Sequence, residues 1–578
     1  MFQSVLVANR GEIAARIVRS AKELGLHTIA VYSELDRDAL HVTLADEAWS
    51  IGPAPASQSY LDMDRIIEVA KESKAEAIHP GYGFLAENPA FAQKVLDAKL
   101  VWVGPKPETM RIMGDKIASR NAVAKVGVEA VPGNLEAVKS PEEVLEIASR
   151  LGYPVAIKAA HGGGGKGLRL VANDDEALEA FEGARREAEA YFGNPEVYIE
   201  KFIERPRHIE AQVVFDTHGK GVFMGERDCS VQRRHQKLIE ETPAMGLSPK
   251  KREELAQAAI KVGKACDYVG VGTVEFLFDP EGHFYFLEMN TRLQVEHTVT
   301  EVVTGIDLVR TQFEIAAGMD LDFDEVQPRG HAIEFRINAE DPYQSFLPTP
   351  GRVTEYSEPA GYGVRVDGWI RAGSSISQYY DNLLAKLIVW GRTRDEAVAR
   401  GLRALNEFKI SGISTTIPAH QLVLQHQDFL SANHHTKWME SIEFVRTEPE
   451  VGPTLPEEEA LERRSMTVEV GGRRFEVAYW TPPAAPAITG KPRRRAPKLE
   501  KSRGFTNADG VIPAPMQGTI VKVKVKPGDR VKAGDSICIL EAMKMENDIK
   551  APADGEVIDL RVQSGDTVAV GDPLAIVR

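Results

Sequence analysis

Cysteine is scarce. The 578-residue chain has three, Cys229, Cys266 and Cys538, and no two share the spacing of a metal knuckle. That excludes a disulfide framework and a cysteine zinc site and fits a reducing compartment. Long apolar runs are missing as well. The first apolar stretch covers only Val5 to Ala8 before Arg10 and Glu12, so neither a signal peptide nor a membrane span is read, and the cytoplasm is the expected location. Positive charge is in deficit: 70 Lys and Arg against 85 Asp and Glu leave a net charge of -15, which argues against a general nucleic-acid binder. Two nucleotide motifs are also absent. No Gly-x-Gly-x-x-Gly follows the first strand, and no Gly-Lys-Ser/Thr closes the glycine run at 161–167, so both the dinucleotide fingerprint and the Walker A loop are rejected. What remains, 43% hydrophobic and 27% charged, is a globular composition too long for one core.

The chain divides by pattern into five parts. Residues 1–113 alternate buried-type strands (Val5 to Ala8, Thr28 to Tyr32, Ala77 to His79, Val101 to Val103) with a helix whose apolar face is Ile13, Ile17, Ala21 and Leu24. That alternation predicts an open parallel, Rossmann-like sheet. Residues 114–330 form a second unit. Residues 331–446 form a third, of mixed character, with helical patterns near Glu396 to Leu405 and Ile417 to Leu424. Residues 447–510 hold a short strand pair, Met466 to Val470 and Arg474 to Trp480, then a Pro/Ala/Arg/Lys-rich tether from 481. A flexible coil of ~30 residues has an r.m.s. span of roughly 30 Å, the reach that a swinging domain needs. Residues 511–578 are all-β.

Anion chemistry concentrates in the second unit. His161-Gly162-Gly163-Gly164-Gly165-Lys166-Gly167 follows the strand Pro154 to Lys158. Small residues let backbone N–H groups wrap a phosphate. Lys158 and Lys116 are candidate phosphate partners, and the run Glu200-Lys201-Phe202-Ile203 offers backbone groups to a purine edge. Glu275 and Glu288 sit in two apolar strands joined by Asp279-Pro280-Glu281-Gly282-His283, a hairpin. Carboxylates in apolar strands are costly to bury unpaired, and hard oxygen ligands of this kind suit Mg²⁺. Cys229 reads as a structural thiol.

The C-terminal 65 residues repeat themselves. A shift of 37 positions overlays Ala514-Pro515 on Ala551-Pro552, Gly518 on Gly555, Gly528-Asp529 on Gly565-Asp566 and Gly534-Asp535 on Gly571-Asp572. Two such halves predict a flattened pseudo-twofold β-sandwich. Glu541-Ala542-Met543-Lys544-Met545 falls at the midpoint, with Lys544 at a hairpin tip.

This last segment resembles the biotinyl carrier domain of biotin-dependent carboxylases, whose signature is Glu-Ala-Met-Lys-Met, and the resemblance implies that Lys544 carries biotin through an amide. Residues 1–446 resemble the biotin carboxylase component with its ATP-grasp core. The matching runs are Ala8 to Ala14, His79 to Leu85, Arg227 to Lys237, Glu288 to His297 and Arg336 to Pro342. Two departures are Thr298, where the family commonly has Pro, and Lys166, often Arg. The resemblance implies that Lys116, Lys158, His208, Gln232, His235 and the loop glycines Gly163, Gly164 and Gly165 hold ATP. It implies that Glu275, Glu288 and Asn290 hold Mg²⁺, with Mn²⁺ the alternative.

For bicarbonate, Arg292 offers a planar fork of donors, Gln294 and the Val295 backbone add hydrogen bonds, and Glu296 takes the proton. The resemblance further implies that Lys237 holds carboxyphosphate, that Arg336 stabilises the biotin enolate, and that Tyr82 and Gly83 contact the biotin ring. No second large catalytic domain remains in the chain. The expected partners are therefore a separate carboxyltransferase β-subunit, as with the α-chains of acetyl- or propionyl-CoA carboxylases, and a biotin protein ligase. Self-association is expected as a dimer or an α6β6 assembly, with Arg16, Arg19 and Glu23 as a polar face on the first helix. The corresponding subunit of a two-part pyruvate carboxylase is the close alternative; a non-catalytic carrier and another ATP-grasp ligase are the distant ones.

Overall fold

The structure is a computed structural model. It describes residues 1–134, 136–160, 168–445, 462–470, 473–481, 510–515, 518–542, 545–568 and 571–578; for 190–192, 462–481, 542, 545 and 546 only the backbone is described.

The first unit is a five-stranded parallel sheet in the order Glu47–Gly52, His27–Ser33, Ser4–Val7, Ala77–His79, Val101–Trp102. Its central strand is buried on both faces, so Val5, Leu6 and Val7 are all inaccessible, as a parallel sheet covered by helices requires. The strand ends at Asn9, whose amide donates to the carbonyls of Pro80 at 2.7 Å and Tyr82 at 2.8 Å. Gly81 lies between them at φ +64°, and a Cβ there would meet the Asn9 amide nitrogen at 3.0 Å. Glycine is needed for both reasons, and the pairing brings the 80–83 loop to the strand end.

The site is carried by an eight-stranded sheet. Its order is Phe284–Asn290, Gly270–Phe278, Arg207–Phe215, Gly221–Arg233, Gln236–Thr242, His331–Asn338, Leu383–Gly391, Val364–Gly368. The sheet runs without a break across the expected boundary at 330: Ile239 lies opposite Phe335 and Glu240 opposite Glu334. Hydropathy along the chain does not carry this, because pairing between distant strands leaves no local signal. The helix Arg394–Glu407 packs on the far half through Ala397, Ala404 and Leu405 against Phe335, Leu387 and Val389. A separate three-stranded sheet, Arg169–Val171, Val155–Ala159, Val197–Lys201, carries Lys158 and is backed by the helices Pro141–Leu151 and Ala177–Phe192.

The strand pair after 446 is longer than expected, Glu462–Val470 against Arg473–Thr481. Residues 482–509 of the tether lie outside the described residues. In the C-terminal unit the repeat is visible as geometry. One sheet runs Val511–Pro513, Pro573–Val577, Gly555–Leu560, Arg530–Val531; the other runs Met545–Lys550, Ser536–Ala542, Gly518–Val523, Thr567–Val568. Each strand of one has its counterpart 37 residues away in the other. The turns repeat too: the Lys526 amide donates to Asp529 at 2.7 Å and the Gln563 amide to Asp566 at 2.8 Å, with Gly528 and Gly565 at φ +95° and +99°. Ile520, Ile537, Leu540, Val557 and Leu574 fill the space between the sheets. Met543 and Lys544 lie outside the described residues; the strands on either side pair with Ala542 opposite Met545. Among the described residues no helix is long and apolar enough to cross a membrane.

Candidate active site

Residues directly opposite on antiparallel strands project to the same face. Glu288 stands opposite Glu275, Glu275 opposite Glu210, and Glu210 opposite Arg227, so four strands place one row of charge on one face. Arg336 is opposite Lys386 farther along. These residues line or back a cavity of about 560 Å³. Its wall contains Tyr82, Gly83, Lys116, Lys158, His208, Gln232, His235, Lys237, Glu275, Glu288, Asn290, Arg292, Gln294, Val295, Glu296 and Arg336, so most of the residues read from the sequence are brought together. Glu200, Lys201 and Ile203 are not in that wall. The Glu200 side chain is paired with Lys158 and, at 2.9 Å, with Arg120, and Lys201 donates to the carbonyls of Gly152 and Tyr153, each at 2.9 Å. Gly163, Gly164 and Gly165 lie outside the described residues.

Lys237 is the hub. Its Nζ lies 2.6 Å from Glu210, 2.9 Å from Glu275 and 2.6 Å from Glu296. Arg336 donates to Glu240 at 2.6 Å and to the second oxygen of Glu296 at 3.0 Å. Burial alone would raise the Glu296 carboxyl, but Lys237, Arg336 and Arg227 outweigh it and hold it well below the usual carboxylate range. Glu240 is also dominated by burial; Arg336 pulls it down, Glu334 pushes it up, and it rises to about 8. Arg227 is fully buried and directs its guanidinium to Glu210 at 2.5 Å, Gln212 at 2.5 Å, Thr300 at 3.0 Å, Thr273 at 3.1 Å and Gln294 at 2.9 Å. Gln294 in turn donates to Glu275 at 2.8 Å. Arg292 donates to Glu87 at 2.9 Å and to the side-chain Oδ1 of Asn290 at 2.9 Å.

The Glu275–Glu288 pair fits a divalent cation. Burial and the facing Glu275 together raise the Glu288 carboxyl, whereas Glu275, though buried, is held well below its ordinary range by Lys237 and His208. Two acids on one face with one partly neutralised is the donor set that Mg²⁺ relieves. Lys116, half-buried and beside Glu288, is shifted down by desolvation. Gln232, His235 and Lys237 are set by a tight reversal in which Arg234 and His235 take φ +48° and +65°, a conformation rare outside glycine and common at functional sites.

Four family models match the chain in sequence order: "Biotin carboxylase, N-terminal domain" over residues 1–110, "Carbamoyl-phosphate synthase L chain, ATP binding domain" over 115–324, "Biotin carboxylase C-terminal domain" over 334–441 and "Biotin-requiring enzyme" over 510–577. A biotin-dependent acyl-coenzyme A carboxylase alpha3 subunit of Mycobacterium leprae is 47% identical over 561 residues, covering 94% of this chain and 93% of its own. The chain belongs to the biotin carboxylase family. It has the fused arrangement, in which one polypeptide holds the carboxylase and the carrier. A pyruvate carboxylase subunit of Methanothermobacter thermautotrophicus is 50% identical over 442 residues, 76% of this chain and 90% of that one. Among solved structures, a biotin carboxylase complex with β-γ-ATP from Campylobacter jejuni superimposes with a TM-score of 0.74 at 45% identity, covering 76% of this chain and 99% of that chain.

Sequence reasoning passes over several residues of this carboxylase's site. It assigns no role to Glu210, Arg227, Glu240, Glu87, Glu12 or Lys386. A signal for the strand residues exists: His208, Glu210 and Gln212, like Glu334, Arg336 and Asn338, put polar groups at every second position of a buried strand, which marks one polar face. Cys229 agrees with the structural reading; burial, then Glu210, push its thiol well up, so it stays protonated. Arg16 is engaged within the chain by Glu301 at 2.8 Å and Asp307 at 2.7 Å, while Arg19 and Glu23 are exposed.

Proposed function

We propose that this biotin carboxylase uses ATP, Mg²⁺ and bicarbonate to carboxylate biotin carried on Lys544, and that the carboxyl group then passes to an acyl-CoA, acetyl- or propionyl-CoA, on a separate carboxyltransferase β-subunit. The observation that carries the chemical half is Glu296 gripped by Lys237 at 2.6 Å and Arg336 at 3.0 Å in the wall that also holds Glu275 and Glu288.

Bicarbonate is a weak electrophile and arrives as an anion. Arg292 and the Gln294 amide present donors to it. In this structure both cations next to Glu296 are bonded to Glu296 itself. An arriving anion competes for them, and as they turn toward it the Glu296 carboxylate loses its stabilisation and becomes a stronger base for the bicarbonate proton. Lys237, with Lys116 and Lys158, neutralises charge on the phosphoryl group that moves from ATP. Glu275, Glu288 and Asn290 would hold Mg²⁺, which supplies further charge neutralisation at the phosphate oxygens. The phosphorylated bicarbonate, carboxyphosphate, splits to CO₂ and phosphate; biotin would supply the ureido nitrogen that takes up the CO₂, its N–H proton passing to that phosphate. Arg336 would stabilise the biotin enolate, and Tyr82 and Gly83, in the same cavity wall, would contact the biotin ring.

The acyl-CoA assignment rests on the Mycobacterium leprae relative, whose match extends through the carrier. The pyruvate carboxylase reading is supported by the 50% identical Methanothermobacter relative, which matches over the carboxylase part. Intact mass after expression with a biotin ligase tests the carrier: one biotin adduct is expected on the wild type and none on Lys544→Ala. No adduct beside an active ligase would overturn it. Purified with its carboxyltransferase, the complex is expected to carboxylate acetyl- or propionyl-CoA. Turnover of pyruvate alone would replace the acyl-CoA assignment.

A further inference from the structure

Lys386 sits in the middle of the strand Leu383–Gly391, between Arg336 on one neighbouring strand and Asp367 on the other, and its side chain is fully inaccessible. Its ammonium donates to the carbonyl of Val295 at 2.8 Å. Glu12 lies 3.5 Å away, and the ring of Tyr82 is centred 5.9 Å away. Pieces of chain near residues 12, 82, 295 and 386 therefore converge on one cation.

A buried ammonium is costly unless it is well paired; here Glu12 at 3.5 Å, with Glu334 and Asp367 beyond ion-pair distance, offsets the charge, and none of the three makes a short contact. Neither oxygen of Glu12 makes a described hydrogen bond, and 3.5 Å is long for one. The short contact is to a peptide carbonyl. A peptide is planar, so fixing the Val295 C=O also fixes the Glu296 N–H and the direction in which residue 296 leaves the loop. The neighbouring residues are held by side chains: Gln294 by Arg227 at 2.9 Å, Glu296 by Lys237 at 2.6 Å and Arg336 at 3.0 Å. Lys237 and Arg336 are the groups the incoming anion recruits, so their hold on Glu296 loosens when substrate binds. The contact from Lys386 to the backbone does not depend on them.

We propose that Lys386 is a positioning residue for bicarbonate: it clamps the Val295 peptide so that the 292–296 segment keeps its shape when Lys237 and Arg336 let go of Glu296. The proposal rests on the function given above. It assigns Lys386 no contact with substrate, so its loss acts on bicarbonate and spares ATP, whose phosphate-binding lysines lie on other elements.

The test is bicarbonate-dependent ATP cleavage by the full chain with free biotin, KM for bicarbonate and for ATP being measured separately on Lys386→Met and Lys386→Gln. The expected result is a KM for bicarbonate raised about tenfold or more, as befits a lost charge-assisted hydrogen bond, with KM for ATP within about twofold. Thermal unfolding shows which variants are folded. A fall in kcat with KM for bicarbonate unchanged, or equal rises in both KM values, would overturn the proposal. So would failure of both variants to fold, since Lys386 would then be a residue of the fold rather than of the loop. A wild type without bicarbonate-stimulated cleavage would instead overturn the function itself.

Discussion

Replacing Lys237 with Met removes the cation that three buried carboxylates share. Its contacts with Glu210, Glu275 and Glu296 measure 2.6, 2.9 and 2.6 Å; at an effective dielectric near 20 each is worth about 6 kcal/mol of raw attraction. Most of that offsets desolvation, and breaking a buried pair typically costs about 3–5 kcal/mol net. The pH dependence identifies the cause. In the wild type Glu275 and Glu296 are depressed despite burial, chiefly by Lys237. Their contribution to stability is therefore present above the ordinary carboxylate pKa and lost as pH falls through the lower folded values. In Lys237→Met burial is less opposed, and any carboxyl that rises above its unfolded value takes up a proton on folding. Stability is then lost as pH rises, by about 1.4 kcal/mol per pH unit for each such group. Urea unfolding from about pH 5.5 to 8.5 reads this. The variant is expected to approach the wild type at the acid end and to be weakest at the alkaline end. A loss of equal size at every pH would refute the charge-hub account and make Lys237 a packing residue.

Other perturbations follow from the same geometry. Glu12 is raised to about 7 by burial, with Lys386 pulling it back; its folded pKa exceeds the unfolded one, so it costs stability as pH climbs from about 4.5 to 7, and Glu12→Gln is expected to flatten that part of the urea-unfolding profile. Arg227→Met leaves Glu210 with Lys237 as its remaining close cation and Gln294 with only its bond to Glu275; a loss of about 3–5 kcal/mol in denaturant unfolding is expected. Glu288→Gln should raise the Mg²⁺ concentration for half-maximal ATP cleavage by tenfold or more, roughly the effect of losing one charged ligand, whereas an unchanged Mg²⁺ requirement would remove Glu288 from the metal site. Gly528→Ala places a side chain at φ +95° and should destabilise the carrier by about 1–3 kcal/mol in thermal unfolding.

Two kinds of information were legible in the sequence. Local periodicity gave the parallel sheet, the 270–290 hairpin and the repeat of the last 65 residues, because each depends on side chains close in the chain. Contiguous motifs gave Arg292, Gln294 and Glu296, which lie within five residues of one another. Legibility failed where strands far apart in the chain pair. The continuous sheet across residue 330 and the row Glu288, Glu275, Glu210, Arg227 exist only through register. Glu87 and Lys386 reach the site from elements whose own sequence looks ordinary; the apolar run around Lys386 reads as a plain buried strand until its ammonium is seen at the Val295 carbonyl. The run 200–203 is read for its backbone groups; the ion pairs of the Glu200 side chain with Arg120 and Lys158 join elements far apart in the chain and leave no local signal.

If the cavity couples ATP cleavage to bicarbonate and biotin, nucleotide turnover depends on both. The most direct measurement is ADP release by the purified chain with Mg²⁺, in the presence and absence of bicarbonate and of free biotin, beside Glu296→Ala. Release that requires bicarbonate, rises with biotin and disappears in Glu296→Ala is the predicted result. ADP release indifferent to bicarbonate, or undiminished in the variant, would contradict it.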